Sequence, residues 1–463
     1  MNDPRRSIPS VDALLEAPAF ETLLGAYARD RVVVATREAV HHVREAIGSG
    51  QAPDDPTDSE LYAALARSSL VAGDVPSLRR VINATGVVLH TNLGRAPLAE
   101  VAARAMAAAA RGYSNLEFDL ETGTRGSRYD HCVGLLKELT GAEDALVVNN
   151  NAAALVLALN TVARGRGVVV SRGELVEIGG GFRVPEILER SGAQLVEVGS
   201  TNRTRTEDYS QAVAAEDVAA LLKVHRSNFS MTGFTEEAPL SGLASVAASA
   251  GVPLLYDLGS GLLMDPAELG LPDEPRAQTA LRAGVDVVAI SGDKLMGAPQ
   301  AGVLLGSSAL IAAMRKNPMC RALRVDKVTL AGLEATLRLY RDPEQARRDI
   351  PTLRALSGPV EEMKVRAESL AQRLTDGGVG AEPAATESAV GGGTYPGVTI
   401  PSWAVALTPR DGPEALAKAL RSGDPAVVGR TVDDRVHLDV RTVDASEESD
   451  LVRRVVEAVK DSQ

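Results

Sequence analysis

The chain has 463 residues, of which 45% are hydrophobic and 24% charged, and its 49 Lys and Arg stand against 61 Asp and Glu for a net charge of -12. This composition is typical of a globular protein of two or three domains, and it excludes the collagen-like, disordered and disulfide-scaffold classes. The acidic balance argues against indiscriminate nucleic-acid binding but leaves room for a specific RNA partner held by a local basic face.

The sequence predicts a cytoplasmic protein that binds no membrane and no metal. It contains no apolar run long enough for a membrane span, and its first residues lack the apolar core of a signal peptide. Cys132 and Cys320 are too few for a disulfide framework and are not spaced like metal ligands. A reducing compartment is the simplest expectation.

Residues 1–75 are predicted to form a small helical module. Ser10 is a suitable N-cap for a first helix, and a longer helix follows with an apolar stripe made of Val33, Val40, Val43 and Ile47. Arg37, His41 and Arg44 lie on its other side. From spacing alone, a solvated helix surface explains that basic face better than a binding site does.

Residues 80–330 are predicted to form an α/β domain. Short apolar runs alternate with helical stretches, which is typical of a mostly parallel sheet covered on both faces, with its site at the carboxyl edge of the strands. The predicted strands are Ala145–Val148, Gly167–Val170, Gln194–Val198, Ala219–Val224, Val252–Tyr256 and Val285–Ile290.

Residues 331–463 are predicted to be linking helices and a small α+β domain. The helices Leu330–Leu339 and Val360–Leu374 lead out of the large domain, and Gly391–Gly393 forms a flexible loop. Three short strands and a closing helix follow, at Trp403–Leu407, Ala426–Val428, Val436–Val440 and Glu447–Val459.

Lys294 is the first candidate for chemistry. It follows a predicted strand directly, in the sequence Ser291-Gly-Asp-Lys294, and its neighbours are small and apolar. Partial desolvation lowers the pKa of an amine and makes it a nucleophile for a carbonyl group. A lysine at the edge of the core that extends its amine to solvent would show the same pattern.

Two further features point to a pyridine cofactor. Asp257 ends an apolar strand, where a carboxylate could keep a pyridine nitrogen protonated. The asparagine triplet Asn149-Asn150-Asn151 lies between a strand and a helix, where side-chain amides and free backbone N–H groups suit a phosphate. The alternative interpretation of Asp257 is a structural cap, and that of the asparagines is an Asn-rich turn. The order of phosphate loop, acid and lysine is that of the large domain of fold-type I pyridoxal phosphate enzymes.

Three arginines mark a possible second anion site. Arg321 and Arg324 are three residues apart and would share one face of a helix, and Arg95 lies in a turn that contains glycine. Arginine binds phosphate through a planar fork of donors, so these residues suggest a second phosphorylated reactant. From spacing alone, surface salt bridges are the better explanation of any one of them.

Longer blocks make the sequence resemble a known family, the bacterial selenocysteine synthases, or L-seryl-tRNA(Sec) selenium transferases. The likeness runs over nearly the whole chain, and its blocks stand in the order of the family. They are Val81–Arg95, Gly141–Ala145, Asn149–Ala154, Ser171–Gly180, Ser291–Gly302 and Arg321–Lys327.

The resemblance implies a pyridoxal phosphate enzyme that converts seryl-tRNA(Sec) to selenocysteinyl-tRNA(Sec) through a cofactor aldimine and an aminoacrylate, with selenophosphate as the selenium donor. It implies Lys294 as the cofactor lysine, Asp257 as the partner of the pyridine nitrogen, and Ser291 as a further cofactor contact. Asn228, in His225-Arg-Ser-Asn228, could donate to the phenolate oxygen of the cofactor. The residue that stacks on the ring stays unassigned.

The same resemblance implies how substrates and chains come together. Arg95, Arg321 and Arg324 would hold the phosphate-bearing donor, and the N-terminal module would help to grip the tRNA, with Arg37 and Arg44 as candidate contacts. A homo-oligomer built from dimers, a decamer in this family, would place active sites between chains and let Arg95 serve the cofactor of its neighbour.

Two alternatives remain open at this point. A related pyridoxal phosphate lyase could act on a small free amino acid, although the N-terminal helical module weighs against it. A tRNA-binding protein that has lost catalysis is a different class, and the intact Lys294, Asp257 and arginines weigh against that.

Overall fold

The computed structural model describes residues 4–178, 181–408 and 412–460. Gly179 and Gly180, the last two residues of the family block that begins at Ser171, lie outside these ranges. The chain divides into two compact units, Met1–Arg80 and Val81–Gln463. Each unit is described by itself below.

The first unit is helical, as predicted, and has a core of its own. Ser10 caps its first helix, because the side-chain oxygen accepts from the backbone N–H of Ala13 at 3.2 Å. Leu14, Phe20 and Tyr62 are among the side chains that fill the core. The helices are α1 (Val11–Leu15), α2 (Glu21–Ala26), α3 (Arg29–Gly48) and α4 (Ser59–Asp74).

Helix α3 buries a stripe slightly different from the predicted one. Val40 and Val43 are buried as predicted, but Val32 is buried where the sequence indicated Val33, which is only partly covered together with Ile47. The opposite side is exposed and carries Arg37, His41 and Arg44.

All nine predicted strands are present, with their ends shifted by up to four residues, and the described part of the chain holds six more that the sequence analysis did not predict. The largest shift is at Trp403, which lies inside a strand that begins at Thr399. In chain order the strands are β1 (Val81–Asn83), β2 (Asp144–Val148), β3 (Gly167–Ser171), β4 (Glu177–Ile178), β5 (Phe182–Arg183), β6 (Gln194–Val198), β7 (Val218–Val224), β8 (Leu254–Gly259), β9 (Val287–Ser291), β10 (Gly302–Gly306), β11 (Ala381–Ala389), β12 (Thr399–Leu407), β13 (Ala426–Val428), β14 (Arg430–Val432) and β15 (Arg435–Asp439).

The helices of the second unit cover the large sheet first and then build the C-terminal part. They are α5 (Glu100–Arg111), α6 (Asp130–Thr140), α7 (Asn151–Ala163), α8 (Val184–Ser191), α9 (Thr206–Ala215), α10 (Leu240–Ala250), α11 (Ala277–Arg282), α12 (Ser308–Lys316), α13 (Pro318–Ala322), α14 (Lys327–Leu339), α15 (Pro343–Asp349), α16 (Pro351–Ser357), α17 (Val360–Asp376), α18 (Pro413–Ser422) and α19 (Glu448–Lys460).

The large sheet has seven strands in the order β2-β10-β9-β8-β7-β3-β6. All are parallel except β10, which runs antiparallel between β2 and β9. The predicted doubly covered, mostly parallel sheet is therefore confirmed, and β10 is an addition that the sequence analysis missed. Alternate side chains of one strand, such as Val147 and Val148 in β2, enter two separate apolar clusters, one on each face.

The C-terminal part is built on an antiparallel sheet in the order β11-β12-β15-β14. Strand β1 pairs in parallel with β13, so the segment that enters the second unit joins this part of the fold before it reaches the large sheet. Buried Asp439 of β15 contacts both this sheet and the segment that follows β1. It accepts hydrogen bonds from Ser388 and Ser402, and it lies so close to Gly86 that a Cβ there would come within 2.2 Å of its Oδ2.

The parallel strands direct their carboxyl ends to one edge of the large sheet. Asp257 and Gly259 in β8, Ser291 in β9 and His225 after β7 all lie at that edge, and the start of α7 follows β2 there. None of the described helices is long and apolar enough to cross a membrane.

Candidate active site

A cavity of about 260 Å³ lies at the carboxyl edge of the large sheet. Its walls come from the ends of β8 and β9, from the residues that follow β7, from the start of α7 and from the turn that carries Arg95, so residues far apart in the sequence meet there. Among the lining residues are Arg95, Asn150, Asn151, His225, Asp257, Gly259, Ser291, Asp293 and Lys294.

Lys294 is buried in this cavity. Its side chain follows β9, and its Nζ donates to the carbonyl oxygen of Gly393 at 3.4 Å. Burial lowers the pKa of the Lys294 amine below the usual value of a lysine, against the opposing charge of Asp257. A neutral amine is the form that attacks a carbonyl carbon, so the position suits a nucleophile.

Asp257 is the buried acid of the cavity. Asn151 donates through Nδ2 to its Oδ1 at 2.8 Å, which holds the carboxyl group in place. Burial raises the pKa of the Asp257 carboxyl, while the hydrogen bond from Asn151 and the charge of Lys294 oppose that rise. A carboxyl group in this state ionises readily when a cation is brought against it.

Gly259 leaves the space between these two side chains open. A Cβ at this position would lie 3.5 Å from Lys294 Nζ and 3.9 Å from Asp257 Oδ1. The residue also has a φ of 71°, at an irregularity in the pairing of β8 with β9. Glycine is therefore needed for the backbone conformation, and its missing side chain leaves room for a ligand beside the lysine.

The start of α7 forms the polar end of the cavity. Asn150 caps the helix, because its Oδ1 accepts from the backbone N–H of Ala153 at 2.8 Å. Asn151 lines the cavity next to it, and its Oδ1 is buried without a hydrogen-bond partner among the described residues. Asn149 is exposed and lies outside the cavity walls, although its carbonyl oxygen faces Gln300 Nε2 at 3.5 Å.

Arg95 lines the cavity of its own chain and is paired with Asp293. Its Nη1 donates to Asp293 Oδ2 at 2.7 Å, and its Nε is buried without a partner in the described part of the chain. Arg95 has a φ of 62°, which is uncommon for a residue with a side chain. One guanidinium edge is thus anchored while the rest of the group is available to an anion.

The structure does not bring the other predicted residues into the cavity walls. Arg321 lies on α13, whereas Arg324 follows the end of that helix, so the two do not share a helix face as their spacing predicted. Both are exposed, and Arg324 pairs through its backbone with Val148 at the end of β2. Asn228 is exposed, and its Nδ2 donates to the carbonyl oxygen of Glu177 at 2.6 Å.

Several residues of the site were not among the sequence candidates. Asn151 belongs to the asparagine triplet and Asp293 to the motif Ser291-Gly-Asp-Lys294, so the sequence pattern could have identified both as site residues. No sequence pattern could have identified Gly259 or the carbonyl group of Gly393, because their role depends on which segments meet in the folded chain. Gly393 lies almost a hundred residues after Lys294.

Comparison with known proteins decides the family. The pattern of the family described as "L-seryl-tRNA selenium transferase" matches residues 81–444, and that described as "Selenocysteine synthase N terminal" matches residues 5–44. The chain belongs to the L-seryl-tRNA selenium transferase family. The resemblance seen in the sequence is thereby confirmed.

Relatives in the L-seryl-tRNA selenium transferase family match over nearly their whole length. The protein named L-seryl-tRNA(Sec) selenium transferase from Solidesulfovibrio magneticus is 51% identical over 97% of this chain and 97% of its own. Its namesake from Carboxydothermus hydrogenoformans is 49% identical over 98% and 97%. Among solved structures, a D-glucosaminate-6-phosphate ammonia-lyase has the same fold, with a TM-score of 0.57 and 23% identity over 83% of this chain and 96% of that chain.

Selenium transferases of this family convert L-seryl-tRNA(Sec) to L-selenocysteinyl-tRNA(Sec), and their cofactor is pyridoxal phosphate. The residues of the cavity fit that group. Lys294 offers a buried amine, Asp257 a carboxyl group without a cationic hydrogen-bond partner, and Gly259 an open space beside both. The unpartnered amide oxygen of Asn151 is a further polar atom that a bound ligand can satisfy.

Proposed function

We propose that this protein converts L-seryl-tRNA(Sec) to L-selenocysteinyl-tRNA(Sec) with selenophosphate as selenium donor. The observation that supports it most directly is the buried Lys294 amine, which shares a cavity with the buried acid Asp257. When bound, pyridoxal phosphate supplies an electron-withdrawing ring that eases loss of the Cα proton and the β-hydroxyl group of the seryl residue.

In this proposal the amine of Lys294 would hold the cofactor through its carbonyl group and, once released, would move the Cα proton of the substrate. The lowered pKa of Lys294 favours the neutral amine, which can accept that proton once it is free. Asp257 holds the proton on the ring nitrogen, and Asn151 keeps the Asp257 carboxyl oriented through its 2.8 Å hydrogen bond.

The start of α7 is the proposed phosphate site of the cofactor. Free backbone N–H groups at a helix start attract anions, and Asn150 lies in the cavity wall at that point. Ser291, buried at the end of β9, lines the same cavity. Asn149 and Asn228 remain proposed contacts that would require movement of exposed side chains.

The proposed site for selenophosphate combines Arg95 with Arg321 and Arg324. A guanidinium group binds phosphate oxygens through paired donors, and holding the donor near the reacting carbon turns a bimolecular addition into a positioned one. Arg95 already lines the cavity, whereas Arg321 and Arg324 are exposed on their own chain. The assembly from dimers, a decamer by resemblance, would complete such a site with residues of a second chain.

Exposed apolar side chains support that assembly. Tyr113, Phe118 and Leu120 lie close together in the sequence and are all exposed in the single chain. Exposed apolar side chains that follow one another closely in the sequence are candidates for a region that packs against another chain.

The proposed role of the N-terminal module, residues 1–75, is to grip the tRNA. Arg37 and Arg44 stand on the exposed side of α3, where they can reach phosphates. Because charged tRNA is used by the translation machinery, we place the enzyme in the cytoplasm.

The visible spectrum of the cofactor-loaded protein tests this proposal. Seryl-tRNA(Sec) should shift the cofactor band, and free serine should leave it unchanged. The variant Lys294→Ala should lose turnover while still binding the tRNA. A band that responds to free serine would indicate the small-molecule lyase instead, and the absence of any band after incubation with pyridoxal phosphate would indicate a tRNA-binding protein without catalysis.

A further inference from the structure

A further buried carboxylate lies next to the cavity wall. Glu274 is only 4% exposed and lies between the turn at Pro266–Leu269 and α11. Its Oε1 is 3.3 Å from Nε2 of His225, which lines the cavity. Neither atom has a hydrogen-bond partner among the described residues. Because 3.3 Å is within hydrogen-bonding distance, it is the angle and not the separation that keeps the two groups from forming a hydrogen bond.

The backbone of His225 is held firmly on its other side. It is the first residue after β7, and its N–H donates to the carbonyl oxygen of Asp257 at 2.9 Å. Its carbonyl oxygen accepts from the N–H of Ser227 in a tight turn. The ring is thus the movable part of the residue, and the carboxylate of Glu274 lies beside its Nε2.

The segment that carries Glu274 is also anchored to the loop that reaches Lys294. Tyr395 Oη donates to the carbonyl oxygen of Pro272 at 3.1 Å, two residues before Glu274. Two residues before Tyr395, the carbonyl oxygen of Gly393 accepts from Lys294 Nζ. Glu274 is therefore fixed with respect to the cavity and is not a loose surface acid.

We infer that Glu274 is a positioning residue, whose buried carboxylate orients the imidazole of His225 in the wall of the cofactor cavity. A buried carboxylate is costly unless a donor or cation meets it, and Nε2 of His225 is the donor at hand. A carboxylate on one ring nitrogen also selects the tautomer, with the proton on Nε2 and Nδ1 left as an acceptor. The inference rests on the proposed function, because it assigns the cavity to pyridoxal phosphate.

The variant Glu274→Gln tests the inference, with Glu268→Gln as its control on an exposed carboxylate of the same segment. Glu274→Gln should still take up pyridoxal phosphate in the wild-type ratio, but the circular dichroism of the bound cofactor should change. Its kcat with seryl-tRNA(Sec) should fall about tenfold to a hundredfold at nearly constant KM, by analogy with the loss of a carboxylate that orients a metal-ligating histidine. Glu268→Gln should match the wild type in each measurement.

A double-mutant cycle separates positioning from a structural effect. If Glu274 acts through His225, then adding Glu274→Gln to His225→Gln should change neither kcat nor the cofactor signal further. Effects that multiply in the double variant would overturn the inference, and so would an unchanged signal in Glu274→Gln. Should Glu274→Gln fail to fold, Glu274→Asp keeps the charge with a shorter reach and should show an intermediate loss, whereas wild-type behaviour of that variant would count against the inference.

The cofactor measurement also keeps the two proposals apart. Its circular dichroism needs no tRNA, so it reports on Glu274 and His225 even if seryl-tRNA(Sec) proves not to be the substrate. If seryl-tRNA(Sec) left the cofactor band of the wild-type protein unchanged while Glu274→Gln altered the circular dichroism of the cofactor, the proposed function would be rejected and the inference about Glu274 would stand.

Discussion

Burial acts in opposite directions on the two titratable side chains at the centre of the site. It lowers the pKa of Lys294 and raises the pKa of Asp257, because in both cases it disfavours the charged form. Each group opposes the shift of the other through its charge. The pair can therefore supply a neutral amine and an acid that becomes charged when a cationic ring arrives.

At the scale of single residues, comparing Gly259→Ala with Gly251→Ala should separate the effect of backbone strain on stability from the effect of lost space on cofactor binding. Gly259 and Gly251 have nearly equal φ values, 71° and 68°, but a Cβ at Gly251 would meet nothing within 4 Å. Each alanine variant should lower the free energy of unfolding by about 1 kcal/mol, because an L-residue is strained in this region. Only Gly259→Ala should also weaken the binding of pyridoxal phosphate, as measured by titration of the visible band. Equal cofactor affinity in both variants would contradict the proposal that the open space at Gly259 belongs to the cofactor site.

At the scale of elements, the site depends on a strand that runs against its neighbours. Strand β10 begins at Gly302, between Val148 of β2 and Ser291 of β9. A Cβ at Gly302 would come within 2.1 Å of the carbonyl oxygen of Asn150. The start of α7 and the end of β9 can therefore both lie against Gly302, because this residue has no side chain.

Asn150 has two separable tasks at the start of α7. Asn150→Ala removes the cap and should lower the free energy of unfolding of the cofactor-free protein by about 1 kcal/mol. Asn150→Asp keeps an oxygen that can accept from Ala153, so its stability should equal that of the wild type. Its added negative charge should nevertheless weaken pyridoxal phosphate binding about tenfold or more, because it faces the phosphate. Unchanged affinity in Asn150→Asp, measured by the same titration, would argue against a phosphate site here.

At the scale of the whole molecule, the chain combines two compact units with separate cores. Leu14, Phe20 and Tyr62 fill the core of the first unit, and the large sheet is covered by two further clusters in the second. The cavity is built from the second unit alone. Cofactor binding and tRNA binding should accordingly respond to different substitutions.

The double variant Arg37→Ala/Arg44→Ala should weaken tRNA binding and leave the cofactor band unchanged. Each lost phosphate contact should reduce the slope of log affinity against log salt concentration by about 0.7–0.9. Binding measured over a range of salt concentrations gives that slope, and Arg190→Ala, an exposed arginine on α8, is the matched control. A slope equal to that of the control would remove these arginines from the proposed interface.

The strand and helix pattern of this protein was predictable from the sequence because it rests on local periodicity. Apolar runs that end in glycine or polar residues indicated the strands of the large sheet, and the positions of Lys294 and Asp257 at strand ends followed from them. Strand β10 was missed, although Gly302-Val-Leu-Leu-Gly306 is an apolar run between glycines. Its direction depends on its two neighbours in the sheet and not on its own residues.

The sequence by itself determined the fold class, the family and the chemical types gathered at the site. The tertiary structure alone decided that Asn151 and not Asn149 meets Asp257, that Gly393 reaches Lys294, and that Glu274 lies behind His225. The first set depends on residues close together in the chain, whose spacing is visible in the sequence. The second depends on contacts between segments about fifty to a hundred residues apart, which only the packed sheet and loops bring within hydrogen-bonding distance.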